Sequence, residues 1–113
     1  MEAPVLIYPD FNKPFYLYTD ASGYAIGAVL EQEDDEGRSH PIAYASRSLN
    51  KAEKNYTITE KEALAIVYAL AQFRNYIYGH QTTVYTDHSA LRTALVVPTA
   101  NARLAKWGLI DRK

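Results

Sequence analysis

Three carboxylates stand out by position. "LYTDAS" (17–22) and "VYTDHS" (84–89) bring two apolar stretches to the same Tyr-Thr-Asp ending, at Asp20 and Asp87. Glu62 lies between them in "TEKEAL" (59–64), in the first turn of a strongly helical stretch. Acids gathered at one point repel and raise one another's pKa unless a cation compensates. Hard divalent cations take oxygen ligands, and Mg²⁺ favours a few carboxylates completed by water and phosphate. Two such ions can activate a water and stabilise the leaving oxygen in phosphodiester cleavage. Plainer roles exist for two of the three: Glu62 as the acid of a Thr59-x-x-Glu62 capping box, and Asp87 as the N-cap of a following helix. Asp20 ends a tyrosine-rich strand with Ala-Ser-Gly behind it and has no helix to cap.

The elements that would bring these acids together can be read from periodicity. In "KPFYLYTDAS" (13–22), Phe15, Leu17 and Thr19 alternate with Tyr16, Tyr18 and Asp20, the period of a strand. "GYAIGAVLEQ" (23–32) and "RSHPIAYASRSL" (38–49) follow across short links, predicting a three-stranded antiparallel meander. Gly23 and Gly27 would serve close turns and tight backbone approach beside Asp20. Residues 57–79 predict a helix with a stop at Gly79; Leu64, Val67 and Ala71 make one apolar stripe, and Ile66, Ala69 and Phe73 another that carries Glu62. The helix serves as a crossover, so "QTTVYTDHS" (81–89) should return parallel to an earlier strand. Laid beside the first strand, it puts Asp20 and Asp87 at neighbouring carboxyl ends, where open sheets with parallel strands place functional groups. "SALRTAL" (89–95) and "ANARLAKWGLI" (100–110) read as two short helices.

Composition narrows the class. The 113 residues, 48% hydrophobic, fit a single domain with an ordinary core. The longest apolar run, "ALAIVYALA" (63–71), is far short of the ~20 residues needed to span a bilayer. With no cysteine, disulfides, thiolate catalysis and zinc–sulfur sites are excluded for this stretch. Net charge is −1, but five of the thirteen acids crowd into "EQEDDEG" (31–37), which leaves the rest of the chain basic enough to face phosphate.

The long blocks "APVLIYPDFNKPFYLYTDASGYAIGAVLEQ" and "HPIAYASRSLNKAEKNYTITEKEALAIVYALAQFRNYIYGHQTTVYTDHSAL" resemble the ribonuclease H domain of reverse transcriptases from gypsy-type LTR retrotransposons. The likeness runs from Ala3 to about Trp107, nearly the whole chain. It implies an α/β, ribonuclease H-like mixed sheet with flanking helices in a single domain over 1–113, residues 1–14 being a lead-in from the polymerase or connection region. It also implies Mg²⁺-dependent hydrolysis of the RNA strand of RNA–DNA hybrids, with two ions that Mn²⁺ can replace. The family's first three metal-binding carboxylates fall on Asp20, Glu62 and Asp87. The expected partners are the hybrid and the polymerase domain of the same polyprotein, with no membrane, in an intracellular setting such as a cytoplasmic virus-like particle or the nucleus.

One departure bears on activity. The family continues past the tryptophan helix with a further strand and a helix carrying a fourth aspartate, whereas this chain stops at "WGLIDRK", and Asp111 comes too early to be that residue. The alternative reading is therefore a catalytically inactive ribonuclease H-like module acting as a tether or interaction domain. Without the further strand, residues 82–87 would form an exposed edge available for self-association, unless the chain's own C-terminal residues cover it. Arg47, Lys51, Lys54 and Lys61 crowd the entry to the main helix as candidate phosphate contacts, with solvated surface charge as the plainer reading. His88 reads as structural, and the many tyrosines as sheet packing.

Overall fold

The computed structural model describes residues 5–86 and, as backbone, 93–97. Five strands form one sheet in the order β3-β2-β1-β4-β5. β1 (Phe15–Ala21), β2 (Ala25–Glu33) and β3 (Ser39–Ser48) make the antiparallel meander. A 3₁₀ turn (Glu53–Asn55) leads into α1 (Ile58–Gln72); a short helix, α2 (Arg74–Ile77), then brings the chain to β4 (His80–Thr86). β4 lies parallel to β1, with Leu17 opposite Val84 and Thr19 opposite Thr86. The two Tyr-Thr stretches that precede Asp20 and Asp87 are thus neighbours in register.

Alternation along β1 is as the sequence predicts. Phe15, Leu17 and Thr19 are buried under α1, and Tyr16, Tyr18 and Asp20 occupy the other face. The main core joins Phe15, Leu17, Leu30 and Val84 from the sheet to Ala69, Leu70, Phe73 and Ile77 from the helices. A smaller cluster of Ile26, Leu49 and Ala65, with Ala21, Leu64 and Tyr68 packed against it, lies towards the carboxyl end of β1. The apolar stripe carrying Ala69 and Phe73 is the one that packs; Ala71 is exposed.

Several expectations are corrected. α1 begins two residues earlier than the predicted cap: Thr57 is the N-cap, its hydroxyl accepting from the Glu60 N–H at 3.1 Å, while the Glu60 carboxylate accepts from the Thr57 N–H at 2.8 Å. "TITE" and "TEKE" both fit the capping pattern, and the earlier one wins. Residues 93–95, read as helix, belong to β5 (Thr93–Val97), antiparallel to β4. β-Branched residues are well suited to that role, and pairing satisfies backbone groups that an edge would leave open. β4 is therefore an interior strand over His80–Val84: as far as Val84 the edge expected at 82–87 is covered by the chain's own residues 93–97, the alternative to an exposed edge. Neither Gly23 nor Gly27 is sterically required: a Cβ would meet nothing within 4 Å at the first and only ordinary contacts of 3.6–3.7 Å at the second. The β1–β2 turn is made instead by Ser22, whose Oγ accepts from the N–H groups of Tyr24 and Ala25. The turn at Gly37 and the helix stop at Gly79, with φ of 81° and 80°, do favour glycine. The predicted helix over 100–110 lies outside the described residues.

Candidate metal centre at the carboxyl end of β1

Glu62 sits early in α1 on the stripe that continues through Ala65 and Ala69 to Phe73. Because Glu60 serves the cap, Glu62 has no capping role to explain it. Its Oε2 is buried and has no hydrogen-bond partner among the described residues. A buried carboxylate oxygen in that condition is rare, since desolvating it without a partner is unfavourable.

What surrounds Glu62 is informative. Asp20, Glu62 and Thr86 line one small hollow, together with Thr19, Ala21 and Ala65. β1 delivers Asp20, α1 delivers Glu62, and β4 delivers Thr86 by its parallel register with Thr19. Asp20 also borders hollows on the other face of the sheet, one lined by Tyr18, Val29, Tyr44 and Tyr85 and another by Ser22, Tyr24 and Ser46. Tyr18 and Tyr85 stack there with centroids 5.0 Å apart. Asp87, the residue after Thr86, lies outside the described residues, as do His88 and Asp111. Among the described residues no group of three acids or histidines converges on a metal-sized point. Two of the three predicted carboxylates are thus brought to one hollow, and the third follows directly on the strand that completes it.

The basic residues divide. Lys51 and Lys54 are exposed, Lys61 is half-buried, and none of the three forms an ion pair among the described residues. Arg47 is engaged: its Nη1 and Nη2 reach the two carboxylate oxygens of Glu53 at 2.8 and 3.0 Å. That fork, reinforced by the Asn50 N–H, holds the Glu53 carboxyl down to about 2. Nothing in the residue pattern signals this pairing beyond an acid six positions after the arginine.

Residues 10–110 match the family described as the RNase H-like domain found in reverse transcriptase. The chain belongs to that family. It is 57% identical over 104 residues to the retrovirus-related Pol polyprotein from transposon opus of Drosophila melanogaster, covering 91% of this chain and 10% of that protein. To the corresponding polyprotein from transposon gypsy of the same organism it is 47% identical over 107 residues, 94% of this chain and 10% of that protein. The RNase H-like domain therefore spans about a tenth of the length of these relatives. Its fold is shared with the foamy viral protease-reverse transcriptase solved in complex with dsDNA, at a TM-score of 0.65 and 23% identity, over 90% of this chain and 22% of that one. The same viral enzyme in complex with an RNA/DNA hybrid matches at a TM-score of 0.60 and 23% identity, over 90% of this chain and 14% of that one.

Proposed function

We propose that this domain hydrolyses the RNA strand of RNA–DNA hybrids endonucleolytically, with divalent metal held by Asp20, Glu62 and Asp87, as part of a retrotransposon reverse transcriptase. The observation that carries the reading is the buried Oε2 of Glu62, which has no partner among the described residues, on a side chain that lines the same hollow as Asp20. An anionic oxygen held out of water beside a second carboxylate suits a hard cation, and an all-oxygen donor set suits Mg²⁺, with Mn²⁺ as a substitute. Bound there, a pair of such ions supplies Lewis-acid activation of the scissile phosphate and of the attacking water.

The chain's own residues would do the rest. Asp20, at the end of a paired strand, and Glu62, on a helix docked against that strand, hold their carboxylates on rigid elements, which fixes the ligand spacing before substrate arrives. Lys51, Lys54 and Lys61 would meet backbone phosphates and set register without reading sequence. Discrimination between RNA and DNA would rest on contacts to the 2′-hydroxyl. The Pol polyprotein relatives support a place beside the polymerase domain of the same polyprotein, and the foamy viral protease-reverse transcriptase solved with an RNA/DNA hybrid supports such a hybrid as partner. The place of action that goes with this reading is intracellular, a cytoplasmic virus-like particle or the nucleus.

Two measurements test this. Calorimetric titration of Mn²⁺ into the chain should show binding that falls sharply in Asp20→Asn. Cleavage by the domain joined to its polymerase part should consume the RNA of a hybrid, spare double-stranded DNA, and be abolished by Glu62→Gln. Unchanged Mn²⁺ binding in Asp20→Asn would overturn the metal reading; cleavage that survives Glu62→Gln would remove Glu62 from the chemistry.

A further inference from the structure

Arg47 and Glu53 form a forked ion pair between the end of β3 and the turn that leads into α1. Every polar contact there is local and mutual. Arg47 Nη1 also donates to the Ser48 carbonyl at 3.1 Å; the Asn50 N–H donates to Glu53 Oε1 at 2.9 Å; and the Glu53 N–H donates to Asn50 Oδ1 at 2.8 Å. The Glu53 side chain is only 10% exposed, so this carboxylate is placed rather than left in solvent. The guanidinium also lies over the ring of Tyr68, 5.5 Å from its centroid, and so touches α1 as well.

Tyr68 packs on the smaller cluster of Ile26, Leu49 and Ala65, and Ile26 is the register partner of Arg47 across β2 and β3. Ala65 and Ala21, from the same cluster, line the hollow shared by Asp20 and Glu62. A continuous set of contacts thus runs from Arg47 through Tyr68 and Ala65 to the wall of the site. Small side chains fill this wall, and they confer little packing energy of their own. The first turns of α1 have their own cap, and the larger core joins α1 only further along, through Ile66, Ala69 and Leu70.

We propose that Arg47 is a positioning residue: gripped by Glu53 and resting on Tyr68, it fixes the start of α1 against β1 and β2 and thereby sets the separation of Glu62 from Asp20. Its value lies in the planar fork, which a lysine cannot reproduce. Outer residues that orient metal ligands are known to change metal affinity by about 10–100-fold when altered. This role rests on the metal reading above, and the two fail differently.

The test is Mn²⁺ titration calorimetry on the 113-residue chain, with hydrogen exchange read along α1, both well below the melting temperature. Arg47→Lys and Glu53→Gln should each weaken Mn²⁺ binding by about tenfold and speed exchange in the first two turns of α1, leaving β1 and β2 protected. Tyr68→Phe keeps the ring face and should bind Mn²⁺ like the parent, whereas Tyr68→Ala should resemble Arg47→Lys. Undiminished Mn²⁺ affinity in Arg47→Lys and Glu53→Gln, with Asp20→Asn abolishing it, would overturn the positioning role and leave the metal centre standing. Uniformly faster exchange through sheet and helix alike would also overturn it, because the pair would then serve global stability alone. Binding that persists in Asp20→Asn would instead remove the metal reading itself.

Discussion

Replacing Glu62 with methionine should stabilise the metal-free chain. Oε2 of Glu62 is buried without a partner among the described residues, and an unsatisfied buried polar group costs about 1–3 kcal/mol, more when charged. Methionine has nearly the same length and nearly the same helix propensity, so the substitution isolates the carboxylate. Its thioether would sit against Ala21 and Ala65, both small and apolar enough to receive it. A gain of about 1–3 kcal/mol corresponds to a rise in Tm of roughly 4–15 °C for a domain of this size. Urea unfolding followed by circular dichroism, in buffer containing a chelator, would give the difference directly from the midpoints. With Mg²⁺ at ten times its Kd, the parent regains about 1.4 kcal/mol by mass action while the variant gains far less, so the gap should narrow by about that amount. A methionine variant less stable than the parent in chelator would refute the reasoning, because it would mean that Glu62 is satisfied in the metal-free protein and is not held ready for a cation.

Two further outcomes follow from local geometry. Thr57→Ala should cost about 1 kcal/mol by removing one half of the capping box, whereas Thr59→Ala, outside the cap, should change the urea midpoint by less than about 0.5 kcal/mol. The Glu53 carboxyl, held at about 2 chiefly by Arg47, contributes stability that is present above its ordinary value near 4.5 and is lost as pH falls through 2. Asp34, whose pKa is lowered chiefly by its hydrogen bond to His40, acts in the same direction. Urea midpoints measured from pH 5 to 2 should therefore fall steeply in the parent and less steeply in Glu53→Gln; parallel slopes would show that the ion pair carries no linkage.

Most of the sheet could be read from the residues because its signals are local. Alternation in β1, short links between β1, β2 and β3, and a long apolar helix before β4 each constrain a neighbour, and together they leave few topologies open. The parallel sense of β4 follows from those signals; its place beside β1 is the further supposition that makes the two Tyr-Thr endings converge, and the register of the two strands bears it out. Where two solutions fit equally well, sequence could not choose. Thr57–Glu60 and Thr59–Glu62 satisfy the same capping pattern, and only the packed register of α1 selects the first. "RTALVV" carries both a helical spacing and a β-branched run, and its pairing with β4 is a long-range outcome that no local window contains. The same holds for Arg47: grouped with Lys51, Lys54 and Lys61 by charge, it differs from them only through Glu53 and Tyr68, which the fold brings to it.

That division also explains how the domain can tolerate a strained acid. The larger core, centred on Phe15, Leu17, Leu30 and Phe73, lies away from the carboxyl end of β1 and holds helix to sheet without help from the site. The wall at the site is built from Ala21, Ala65 and Thr19, side chains too small to bury much apolar area, so a carboxylate oxygen with no partner among the described residues disturbs little packing there. Such a wall confers little rigidity, and two carboxylates meant to share a cation need a fixed spacing. Polar contacts outside the core supply it: the capping box sets where α1 begins, and the Arg47–Glu53 fork with Tyr68 sets how it lies. Stability and ligand geometry are thereby carried largely by different residues, which is why Glu62→Met and Arg47→Lys should separate them: the first strengthening the fold while removing a ligand, the second leaving both carboxylates in place at a spacing that binds the cation less tightly.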